Sequence, residues 1–262
     1  MSKTTFYTSF PLYATGKYDS YFLLKFFPEE QFRDYFLSGN LYMRQHTEFA
    51  NQEVGTGRFD ITEGADVVAI QRDYNSFMDI RFIEKDGGAY VQITETKERP
   101  DNYRDNQAFI SYPVRNQQRN LFCMYTLWCN DSVNSISCLD KDKMSNFGEY
   151  GIIITNPHRF INLVATASEQ NSSITQVHCG FVNYIPECQM KNVMEMNPFR
   201  KPEEDFSYQN EFRICADTDN TDLLELSLGR ELRDISIPIR LTDFANSVHY
   251  RDGKLLFKAD NL

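Results

Sequence analysis

The sequence predicts an α+β protein: a mainly antiparallel or mixed twisted sheet with a few helices. Three observations carry this. Apolar or alternating runs of strand length outnumber helical stretches, hairpin turns join several of them, and the regular strand–helix alternation of a doubly wound sheet is missing. The aromatic content agrees, because 21 Phe and 15 Tyr among 262 residues suit a β-rich core and aromatic-lined pockets.

Residues 21–27 (YFLLKFF) read as a buried strand. Pro28, Glu29 and Glu30 then open a helix, since proline suits the first turn and acids complement the helix dipole. Phe32, Tyr35 and Phe36 recur at helical spacing and predict one apolar face, with Gly39 just past the helix end. A strand over 41–44 follows, and then a polar, glycine-containing loop from Asn51 to Gly64. Residues 78–84 and 89–95 alternate with period two around Asp86, Gly87 and Gly88, a hairpin signal. The charged, turn-rich stretch 97–107 reads as an exposed loop.

The run 120–128 (NLFCMYTLW) predicts a central strand and 151–155 another. Asn156 and Pro157 cap and start a helix that reaches Ala167. Further strands fall at 175–184 and near 211–216, 223–228 and 235–239, and a final hairpin spans 248–257 with its turn at Asp252 and Gly253. No repeat or low-complexity linker interrupts the chain, so residues 1–262 read as a single domain.

Composition narrows the function classes. With 41% hydrophobic and 24% charged residues the chain is globular, not disordered. Its net charge of −10, with Lys and Arg scattered among acids, argues against bulk nucleic-acid binding. No run reaches the roughly 18–20 apolar residues of a membrane span. Residues 1–10 lack a signal-peptide core, so the expectation is a cytoplasmic protein that does not enter a membrane. The six cysteines show no CxxC and no Cys/His metal spacing, which predicts reduced, mainly buried thiols and no metal. P-loop, GxGxxG, GxSxG and HExxH motifs are all missing.

The strongest polar constellation is Lys201 and Pro202 followed by 206–213 (FSYQNEFR). If 208–214 is extended, Tyr208, Asn210, Phe212 and Ile214 share one face while Gln209, Glu211 and Arg213 share the other. A carboxylate between an amide and a guanidinium suits a hydroxylated or phosphorylated ligand, with Arg213 keeping Glu211 ionised and Gln209 orienting the bound group. The same pattern equally describes a solvated strand face with a cross-strand ion pair. A second cluster, Arg58, Asp60 and Glu63, lies in the long polar loop, where function often sits. Arg44, at a strand end, can clamp a phosphate or carboxylate.

Segments 36–43 (FLSGNLYM), 58–64 (RFDITEG), 122–125 (FCMY), 147–150 (FGEY), 156–160 (NPHRF), 201–202 and 206–213 run in order over most of residues 20–245. Together they resemble an uncharacterised family of bacterial, phage and mobile-element proteins. That resemblance implies a part in phage–host conflict, as antiviral defence or anti-defence. Gln209-Asn-Glu211 is also similar to the Q-x-E signature of ADP-ribosyltransferases. This implies NAD as the cosubstrate, Glu211 as catalytic carboxylate, Gln209 orienting the acceptor and Arg44 holding an NAD phosphate. Arg58, Asp60, Glu63, Lys201, Tyr208 and Arg213 complete the expected ligand-binding set. The Ser-Thr-Ser strand of those enzymes has no clear counterpart, Ser111 and Tyr112 being a poor substitute.

Two alternatives stand beside it. One is a non-catalytic protein that sequesters a nucleotide-like ligand or blocks a partner protein. The other is a nuclease or phosphodiesterase holding a metal on Asp60, Glu63 and Glu211.

Overall fold

The computed structural model describes residues 5–9, 20–46, 48, 67–70, 77–85, 88–96, 109–112, 118–186, 189, 193–195, 197–219, 223–251 and 254–257. Arg58, Asp60 and Glu63, the expected loops at 51–64 and 97–107, the turn residues Asp86, Gly87, Asp252 and Gly253, and Cys188 lie outside them.

The protein is α+β. In chain order come β1 (Thr5–Ser9), β2 (Ser20–Phe27), α1 (Glu30–Leu37), β3 (Asn40–Gln45), β4 (Val67–Ile70), β5 (Phe77–Lys85), β6 (Gly88–Thr96) and β7 (Phe109–Tyr112). The middle of the chain supplies β8 (Gln118–Asn130), β9 (Ser135–Ile136), α2 (Lys141–Met144), β10 (Tyr150–Ile154), α3 (Pro157–Glu169), β11 (Ile174–Phe181), β12 (Asn183–Ile185) and β13 (Val193–Glu195). Then follow β14 (Arg200–Pro202), α4 (Glu203–Phe206), β15 (Glu211–Thr218), β16 (Leu224–Ser227), α5 (Glu231–Asp234), β17 (Ser236–Arg240), α6 (Leu241–Ser247), β18 (Val248–Arg251) and β19 (Lys254–Phe257).

The main sheet runs β1-β11-β15-β8-β2-β10-β17, with β3 pairing both β8 and β16. Every neighbour on that path is antiparallel except β1 with β11. The expected hairpins at 78–95 and 248–257 form as β5–β6 and β18–β19. The expected strand over 175–184 is two strands, β11 and β12, parted at Val182.

Successive residues of a strand point to opposite faces, and the core divides accordingly. Leu23, Met43, Met124, Ile152, Ile154, Phe212 and Ile214 pack on one face with Phe36 of α1 and Phe160 of α3. Leu24, Tyr125, Leu127 and Ile153 pack on the other with Phe244 of α6. Strands β8 and β15 are covered on both faces, and every residue of β15 is buried.

Helix α3 starts as its sequence predicts: Pro157 opens it, and the Asn156 side chain accepts from the Arg159 backbone N–H at 3.0 Å. Helix α1 departs from expectation. Phe36 is buried against Phe27, Phe122 and Phe160, whereas Phe32 and Tyr35 are 46% and 43% exposed. The helix is two turns long and its last turn meets the sheet. Tyr35 turns outward, and its hydroxyl donates to Glu225 at 2.7 Å.

Gly148 explains part of the FGEY segment. It has φ +123°, and a Cβ there would stand 2.0 Å from the Phe27 carbonyl oxygen. Only glycine lets β10 start this close to the end of β2.

Candidate functional site

The chain reaches the site through a series of local devices. Pro202 precedes α4, a 3-10 turn over Ser207–Gln209 follows, and Asn210 takes a left-handed conformation at φ 40°, which asparagine tolerates better than most residues. The strand therefore begins at Glu211, as the reading near 211–216 expects, and the extended form of 208–210 considered for the site does not occur. The left-handed residue breaks the alternation, so Gln209 and Glu211 come together through the turn instead of the pleat.

Lys201 joins them. Its Nζ donates to Glu211 Oε1 at 2.9 Å and to Gln209 Oε1 at 3.1 Å, and lies 4.5 Å from the Phe206 ring centroid. Arg213 Nε donates to Glu211 Oε2 at 2.5 Å, and its Nη1 donates to the Pro198 carbonyl. Gln209 Nε2 donates to the Tyr208 hydroxyl at 3.2 Å. The Tyr184 hydroxyl accepts from the Glu211 backbone N–H at 2.9 Å. Burial, and then the Glu211 carboxylate, hold that phenol well above its usual pKa.

Lys201, Gln209, Glu211 and Arg213 are 5%, 3%, 7% and 1% exposed. The expected alternative of a solvated strand face is thus corrected: the ion pair exists but is buried. Parallel pairing of β12 with β14 sets Tyr184 beside Lys201 and lays that segment over the start of β15. A buried carboxylate between two cations adds little net stability, yet removing one partner strands a charge in a dry site.

Glu211 and Gln209 also line a pocket of about 40 Å³, together with Leu24, Phe26, Cys123, Tyr125 and Phe147. It lies where two strands part. The β2–β8 register ends at Leu24 opposite Tyr125, and β3 takes over along β8 only at Arg44 opposite Leu121. Lys25 spans the interval, donating to the Cys123 carbonyl at 2.7 Å. This volume holds roughly three water molecules, far below the about 300–1,000 Å³ of a typical ligand pocket.

Arg44 is exposed. Its partner Leu121 stands opposite Cys215, which puts Arg44 on the same sheet face as Glu211 and Arg213. Strand rise and spacing give a separation of about 16 Å between Arg44 and Glu211. The structure thus gathers Lys201, Tyr208, Gln209, Glu211 and Arg213, and leaves Arg44 apart on the same face.

Farther along that face, His178 stands opposite Cys215, and Arg119 Nε contacts Asp217 at 3.3 Å. Burial lowers the His178 pKa. Sequence reasoning missed Lys25 and Tyr184. Lys25 had a signal, being the lone cation in an apolar strand; Tyr184 had none.

Among the described residues, no group of three or more His, Cys, Asp or Glu is placed to hold a metal. No helix among them is long and apolar enough to cross a membrane. Compared with protein-family models, curated proteins and solved structures, the chain shows no significant match.

Proposed function

We propose that this chain is a cytoplasmic binding protein of phage–host conflict, which sequesters a nucleotide-like ligand or blocks a partner protein. One observation carries the binding reading. The Glu211 carboxylate, fixed between Lys201 and Arg213, forms part of the wall of a pocket otherwise lined largely by apolar side chains. Preplaced polar groups in an apolar concavity are what a selective ligand site requires, and the resting volume of about 40 Å³ would have to widen to admit a nucleotide-like ligand. The phage–host setting rests on the resemblance carried by segments 36–43, 58–64, 122–125, 147–150, 156–160, 201–202 and 206–213.

Mass spectrometry of small molecules released on denaturing the purified protein tests it, with calorimetric titration of the ligand found. A ligand retained by the wild type and lost in Glu211→Gln supports sequestration. Absence of any ligand, together with no specific partner in pull-downs, overturns the reading.

A second reading, NAD-using ADP-ribosyltransferase-like chemistry, draws support from Gln209 and Glu211 lining the same pocket. NAD would have to reach across about 16 Å to engage Arg44 as well. Nicotinamide release from NAD, measured for wild type and Glu211→Gln over a panel of acceptors, decides it. Equal behaviour of the two proteins ends that reading.

A further inference from the structure

We propose that the outer face of α1, β3 and β16 is a docking surface for a basic segment of a partner protein, one that carries Lys or Arg beside apolar side chains. Phe32, Tyr35, Tyr42 and Leu223 are 46%, 43%, 40% and 53% exposed. Scattered exposed apolar residues are ordinary, but these are gathered. Phe32 lies one helical turn before Tyr35. The Tyr35 hydroxyl donates to Glu225 at 2.7 Å, and Glu225 stands directly opposite Tyr42 on the β3–β16 ladder.

The scaffold beneath does not need these side chains. Phe36, Leu41, Met43, Leu224 and Leu226 fill the inner side and are all 5% exposed or less. Three aromatic rings therefore face water on elements already clamped from within, the composition found at the centre of protein interfaces.

Charge selects the occupant. Aromatic faces attract ammonium and guanidinium groups, and a carboxylate set among them completes a site for such a cation. Glu225 is that carboxylate, oriented by Tyr35. The cation of α1 is engaged elsewhere: Arg33 contacts Glu30 and Asp34 at 2.8 Å each. Arg44 lies on the same side of β3 as Tyr42, two residues along, so the basic residue of the partner belongs at the Tyr35–Tyr42 end and its apolar residue toward Leu223. The net charge of −10 adds long-range attraction for a basic partner.

Amide-resolved NMR titration of the full chain with three synthetic peptides of equal length tests this. The first alternates Arg with Leu, the second Glu with Leu, the third Ser with Leu. The expected result is saturable shifts for the Arg peptide only, centred on Phe32, Tyr35, Tyr42 and Leu223. Glu225→Lys weakens that binding at least tenfold with an unchanged unfolding midpoint, and Tyr35→Phe weakens it a few-fold. Equal binding of all three peptides, shifts centred elsewhere, no binding, or an unaffected Glu225→Lys overturns the proposal. Concentration-dependent shifts at these residues without peptide overturn it in favour of a second copy of the chain.

Discussion

Replacing Glu211 by Gln keeps the shape of the site and removes its negative charge. In the wild type the two carboxylate oxygens receive Lys201 at 2.9 Å and Arg213 at 2.5 Å, with all three side chains under 10% exposed. The variant leaves both cations facing a neutral amide that can accept from them only through one oxygen. Stranding a buried charge in this way costs about 3–5 kcal/mol. For a chain of this size each kcal/mol shifts the melting temperature by about 2–4 °C, so the expected fall is about 6–20 °C. Lys201→Met is the internal control. It removes one cation and keeps the Glu211–Arg213 pair, so the loss should be smaller, about 1–3 kcal/mol. Urea unfolding at neutral pH, followed by fluorescence of Trp128, gives both values. A Glu211→Gln protein within 1 kcal/mol of wild type, or a Lys201→Met protein less stable than Glu211→Gln, would refute the claim that the carboxylate is what the two cations are organised around.

Further expectations follow from single positions. Gly148→Ala should cost at least about 3 kcal/mol and abolish stable folding in many conditions, because its Cβ would meet backbone atoms of Phe27 at 2.0 and 2.2 Å; a soluble variant melting near wild type contradicts the close approach. Among the described residues, the buried hydroxyls of Tyr21 and Thr126 have no hydrogen-bond partner. Tyr21→Phe and Thr126→Val should therefore be neutral or stabilising by about 1 kcal/mol, and a loss above that would reveal partners. Tyr184 and Tyr21 both have phenol pKa values raised by burial, that of Tyr21 to about 12. A raised folded-state pKa contributes stability that is full below the unfolded value near 10 and is lost as pH rises toward the folded value. Unfolding midpoints should drop between about pH 10 and 12, and Tyr184→Phe should flatten that drop; an unchanged alkaline slope would count against a buried, protonated Tyr184.

Much of the fold was legible because strand signals are local. The run 120–128 is apolar on both faces, and β8 is buried on both faces; Asn156 and Pro157 announce a helix that forms as read. The short helices were harder to see. Four residues of α4 carry little periodicity, although Pro202 followed by Glu203 and Glu204 is a helix-start signal. In α1 the spacing of Phe32, Tyr35 and Phe36 was real but said nothing of which turn meets the sheet. The site was half legible. The sequence marks Gln209, Glu211 and Arg213 as a group, but burial of the group depends on Lys201, Tyr184 and Pro198 arriving from other segments. No pattern within 206–213 encodes their arrival. Asn210 also hides its effect, since one left-handed residue cancels the pleat that alternation assumes.

The handover along β8 has a mechanical consequence. On its β15 side β8 is paired from Gln118 to Tyr125 without a break, whereas on the opposite side β3 leaves off at Leu121 and β2 begins at Tyr125. The sheet is therefore stiff along one flank of β8 and carries a seam along the other. Across that seam runs the Lys25 hydrogen bond to the Cys123 carbonyl, a charged-to-neutral contact of about 1.5–3 kcal/mol. That contact crosses the seam without belonging to either ladder, so it is a side chain and not the backbone pairing that ties β2 to β8 at this point.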